Sequence, residues 1–74
     1  MSRLPTLTAR QTLKALQSGG FVANHQRGSH LFLVNPETGK MTTVPMHTGD
    51  LKRSLLKEII KQAGFSEDEF RSLL

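Results

Sequence analysis

Seventy-four residues make one domain and leave no room for a separate substrate domain. The chain has no cysteine, which excludes disulfides and thiolate metal sites and fits the reducing cytosol. Its longest apolar run, Leu31 to Val34, is too short to cross a membrane, and no apolar stretch of the signal-peptide kind follows Arg3. A cytoplasmic protein is expected. The net charge of +4 is unevenly spread: residues 1–62 hold nine Lys or Arg against Glu37, Asp50 and Glu58, giving +6. Residues 63–74 hold Arg71 against Glu67, Asp68 and Glu69, giving −2. Arg3, Arg10, Lys14 and Arg27 precede every acidic residue. Such a body points to a polyanionic partner, nucleic acid being the commonest, with a merely solubilising surface as the alternative. A core of this size supplies only about 3–5 kcal/mol, so a partner or a second copy is the remaining source of stability.

Thr8-Ala9-Arg10-Gln11 has the form of a capping box. Ala9, Leu13 and Leu16 then recur at helical spacing until Gly19-Gly20 supplies a left-handed stop, which predicts a helix of about ten residues. Pro5 holds the preceding arm out of that helix. Phe21 to His25 is predicted as a short strand, Gln26 to Ser29 as a loop, and His30 to Val34 as a second strand. In Asn35-Pro36-Glu37-Thr38-Gly39 the proline suits the second position of a type I turn, and Gly39 falls where a left-handed residue is needed. A third strand follows over Lys40 to Met46, with Pro45 ending the pairing or sitting at an edge.

From Leu51 to Ala63 the helical pattern is the strongest in the chain. Leu51, Leu55, Leu56, Ile59, Ile60 and Ala63 form one apolar stripe, while Arg53, Lys57 and Lys61 line another face. Gly64 stops this helix. Ser66 and Glu69 form a second capping box that opens a short helix with acids at its positive end. Phe65, Phe70, Leu73 and Leu74 can fold back on the core. The class is therefore α+β: helix, three antiparallel strands, helix and a short C-terminal helix, with both main helices on one face of the sheet. Parity places His30, Phe32 and Val34 on one face of their strand and Leu31 and Leu33 on the other. Both sets are apolar, so parity leaves the solvent side open.

Several segments combine in a distinctive order. Gly20-Phe21 opens the first strand, and Gly28-Ser29-His30 and Phe32 follow. Val44-Pro45-Met46-His47 comes next, then Leu51 and a helix closing in Lys61-Gln62-Ala63-Gly64. From Thr8 onward this arrangement resembles the HicA family of bacterial toxins. The resemblance implies a fold similar to the double-stranded-RNA-binding domain. It also implies ribonuclease activity toward messenger RNA, inhibition of growth and neutralisation by an antitoxin of the HicB family. The Gly-Ser-His context carries the family's catalytic histidine onto His30. The family usually has Gly-Thr at the start of the long helix, where this chain has Ser54-Leu55, so no threonine hydroxyl is available there for a phosphate.

The residue chemistry of His30 is compatible with that role. RNA carries its own nucleophile, the 2′-hydroxyl, so one well-placed base and charge stabilisation suffice for cleavage, and imidazole suits such work at neutral pH. Gly28 lets a phosphate approach the backbone closely, and Ser29 can hydrogen-bond an imidazole or a phosphate oxygen. The bland alternative is that His30 starts a strand and Gly28 eases a turn. Arg27, Lys52 and Arg53 are candidate phosphate contacts, although a stripe such as Arg53, Lys57 and Lys61 is equally the solvated face of a helix. His47 is read first as a structural or RNA-contacting residue, with protonation of the leaving 5′-oxygen as the alternative. His25 belongs to no motif and is expected at an exposed strand end. The three histidines lack the spacing of a zinc site, so neither a metal nor another cofactor is expected. Four Phe with no Tyr or Trp argue against an aromatic platform for single strands. Two other functions compete with RNA cleavage: a non-catalytic reader of double-stranded RNA, and a protein whose basic face meets an acidic protein partner.

Overall fold

The computed structural model describes residues 4–74; Arg3, one of the unopposed cations, lies outside them. The elements run α1 (Ala9–Ser18), β1 (Val22–Arg27), β2 (His30–Val34), β3 (Met41–Pro45), α2 (Arg53–Gln62) and α3 (Glu67–Arg71). The strands form one antiparallel sheet in the order β1-β2-β3. This is the α+β order expected from the sequence.

Local chemistry sets most of the boundaries. Thr8 caps α1 by accepting from the Gln11 amide at 3.1 Å, while Gln11 Oε1 accepts from the Thr8 amide at 2.9 Å. Ser66 and Glu69 repeat the device at α3. Asn35 closes the β2–β3 turn by accepting from Glu37 N through its side chain and from Gly39 N through its carbonyl. Pro45 ends β3, an outer strand where a missing N–H does least harm.

Two boundaries differ from expectation by two residues, and the others by no more than one. β1 extends through Gln26 and Arg27, because a two-residue turn at Gly28-Ser29 lets pairing continue to Arg27 opposite His30. The long helix starts at Arg53, two residues later than its apolar pattern. Leu51 is instead drawn into extended pairing with the N-terminal arm: its amide donates to Leu7 O at 2.8 Å, and Asp50 bridges Thr8. Lys52 is left as an N-cap with no side-chain bond.

Both main helices cover one face of the sheet. Thr12, Ala15 and Leu16 from α1 and Leu56, Ile59 and Ile60 from α2 are buried with Leu33 and Val44. Leu33 is therefore the inward side of β2, and His30, Phe32 and Val34 belong to the uncovered side. Phe70 brings α3 into this core and is fully buried, and Phe21 meets Phe65 edge to face at 6.0 Å. Gly19 permits this closure, since a Cβ there would stand 2.7 Å from Phe65 and 2.9 Å from Leu73. Leu74, expected to fold back, is 53% exposed.

Candidate active site

The turn that presents His30 follows from its sequence. Gly28 has φ +60 and no other residue than glycine has positive φ among those described, which is the II′ hairpin pattern with glycine at the first central position. Gln26 Nε2 donates to Gly28 O at 3.0 Å and braces the turn. Ser29 uses its carbonyl to accept from Met46 N at 2.5 Å. That bond carries the β2–β3 ladder one residue past Pro45 and sets His47 immediately beyond it.

His30 pairs with Arg27 on one side and with Pro45 on the other. Cross-strand partners project to the same face, so the Arg27 guanidinium stem and the imidazole share the uncovered side of the sheet. Helix α2 lies beside β3. Where the two meet is a cleft of about 400 Å³, lined by His30, Thr43, Pro45, His47, Leu55, Glu58, Ile59 and Gln62. Its far wall is ordered by a polar chain: Thr42 Oγ1 donates to Gln62 Oε1 at 2.9 Å, and Gln62 Nε2 donates to Glu58 Oε2 at 3.5 Å. Two imidazoles and a carboxylate thus border one opening. They do not converge as a metal-binding group among the described residues.

The other expected site residues divide. Arg27, Gly28 and Ser29 are exposed beside His30. Lys52 is exposed at the N-cap of α2 and does not line the cleft. Arg53 is placed differently: its Nη2 donates to Leu4 O at 3.0 Å and to Thr6 Oγ1 at 3.5 Å, while Nε is buried without a hydrogen bond. That guanidinium fastens the N-terminal arm to α2 and is not part of the cleft. Lys57 and Lys61 line a separate concavity with Gly64, Phe65 and Glu67, so the basic stripe on α2 faces away from His30. His25 is exposed as expected but lies inside β1, its ring stacked on Phe32 with centroids 4.5 Å apart and planes 8° from parallel.

Sequence reasoning missed Thr43, Leu55, Glu58 and Gln62 as neighbours of His30. The spacing of 55, 58, 59 and 62 does mark one helical face. No local signal shows that this face meets the end of β3. Leu55 also puts an apolar side chain into the cleft.

The family model described as "HicA toxin of bacterial toxin-antitoxin" matches residues 9–65, a span from the first residue of α1 to just past α2. A search of curated proteins found no match. The match covers most of the 74 residues and includes every strand and the whole cleft. The chain belongs to the HicA toxin family of bacterial toxin–antitoxin systems.

Proposed function

We propose that this protein is an RNA-cleaving toxin that cuts messenger RNA through His30 and His47 without a metal ion, and that a HicB-family antitoxin neutralises it. The observation that carries the reading is that His30 and His47, seventeen positions apart, border the same cleft. Cleavage by the RNA's own 2′-hydroxyl needs two proton transfers, one at each end of the displacement. His30 takes the proton from the 2′-hydroxyl, O2′ bonds to phosphorus, and the bond from phosphorus to O5′ breaks. His47, as imidazolium, delivers a proton to O5′. The products are a 2′,3′-cyclic phosphate and a free 5′-hydroxyl. Arg27 beside His30 and the exposed Lys52 at the start of α2 supply positive charge for the phosphate, and the exposed Gly28-Ser29 turn leaves room for its oxygens. Glu58 borders the same cleft from α2.

The test is an RNA oligonucleotide with a single deoxyribose at the scissile position. It is expected to resist cutting completely, in EDTA as in magnesium, while the all-ribose strand is cut in both. Cutting at the deoxyribose, or cutting lost in EDTA and restored by magnesium, sinks the mechanism.

The role of His47 has its own signature. Replacing O5′ by sulfur gives a leaving group that departs without a proton. His47→Ala is expected to slow cleavage of the ordinary strand about a hundredfold and to cut the sulfur-substituted strand nearly as fast as wild type does. Equal slowing on both substrates makes His47 a contact residue and not the proton donor.

A further inference from the structure

The uncovered sheet face beside His30 is organised in rows of cross-strand neighbours. Arg27, His30 and Pro45 form one row, and His25, Phe32 and Thr43 form the next. The second row owes its composition to an irregularity in β1. Val22 pairs with Val34 and Ala23 with Leu33, but the register then shifts, leaving Asn24 unpaired and placing His25 opposite Phe32. Unbroken pairing would put Asn24 opposite Phe32 and turn His25 to the helix-covered side. A bulge of this kind re-aims a side chain, and here it brings an imidazole flat against a benzyl ring on the same face as the candidate base.

From this arrangement we infer that His25 and Phe32 form a base-stacking platform for single-stranded RNA, holding the nucleotide next to the one cleaved at His30; the inference rests on the RNA-cleavage reading above. The two rings are stacked across the strands at 4.5 Å. β1 is an outer strand with no strand beyond it among the described residues, so the ring face of His25 that is turned away from Phe32 lies toward the sheet edge. His25 is exposed and Phe32 half-buried, which makes the phenyl ring the fixed backing and the imidazole the contact surface. Two residues along a strand span about 7 Å, close to the reach of one nucleotide in an extended strand. A base on His25 therefore leaves its neighbouring phosphate near Arg27 and His30. Every base has a π-face, so such a platform accepts any of the four and favours purines for their larger area. A count of aromatic residues argues against a platform because histidine is not in the count and the partner ring lies on another strand.

The experiment uses the full chain carrying His30→Ala, so that bound RNA stays intact. Oligonucleotides with 2-aminopurine at successive positions report stacking by quenching and affinity by titration. One position is expected to quench strongly. Adding His25→Ala is expected to abolish that quench and weaken binding about tenfold, with the thermal midpoint unchanged. His25→Phe is expected to preserve both. Unchanged quench and affinity in His25→Ala overturn the platform, as does absence of RNA binding, which leaves the face to a protein partner. Cleavage of the same strands by the wild-type chain separates the two ideas. His25-dependent quenching with no cleavage retains the platform and removes the nuclease; cleavage with His25-independent binding removes the platform alone.

Discussion

His30→Ala is expected to reduce RNA cleavage by at least about a hundredfold, since a positioned general base contributes about 10²–10⁴ in rate, with no loss of fold. The second half of that expectation comes from burial. His30 is exposed at the first position of β2, its backbone pairing with Arg27 and Pro45 does not involve the imidazole, and truncating an exposed side chain shifts stability by only about half a kcal/mol. Folding and chemistry are therefore separable at this residue. Single-turnover cleavage, a thermal melt and an induced-growth assay with RNA integrity read in the same cells check it together. RNA breakdown and arrested growth in wild type, with neither in a folded His30→Ala, assign the base. Undiminished cleavage by the variant would move the chemistry away from the cleft. Partial recovery of the variant by added imidazole would identify the missing group as a proton acceptor and not a contact.

Phe70→Ala is expected to leave the protein largely unfolded at room temperature. Removing a fully buried phenyl ring costs about 3–5 kcal/mol, and a core of this size supplies about the same in total. Phe70 is 0% exposed and packs in the core with residues from both main helices, although α3 lies beyond the matched residues 9–65. The last short helix is thus a structural part of the domain. Circular dichroism and urea unfolding measure the effect. A cooperative melt within about 1 kcal/mol of wild type, the ordinary size of a point-mutant effect, would mean that α3 is an appendage on an independently stable body.

Much of the architecture is written in local chemistry. The two capping boxes, the glycine stops and the Asn35-to-Gly39 turn all depend on residues within four positions of one another, and each forms as its sequence implies. Two boundaries depend on distant partners and were not legible. The start of α2 moved because Leu51 finds Leu7, and β1 grew because Arg27 finds His30. Arg53 illustrates the same limit at the level of function. In sequence it is one of three evenly spaced cations on a helix, and only the arrival of the N-terminal arm, 49 positions away, gives its guanidinium a carbonyl to hold.

The sequence by itself determined the class of the fold, the order of its elements and the place of His30 at the head of a strand behind a tight glycine turn. Short-range hydrogen bonds and the spacing of apolar residues are sufficient for those. The tertiary structure alone decided which side of the sheet is open. Leu31 to Val34 is apolar on both sides, and the choice is made by the helices that cover Leu33 and leave Phe32 half exposed. It also decided the company that His30 keeps. Leu55, Glu58 and Gln62 reach it only because α2 packs along β3, His47 because the Ser29–Met46 bond carries the ladder past Pro45, and His25 meets Phe32 only because one residue of β1 is left out of the ladder. None of these contacts has a local cause, because pairing and packing of whole elements set them.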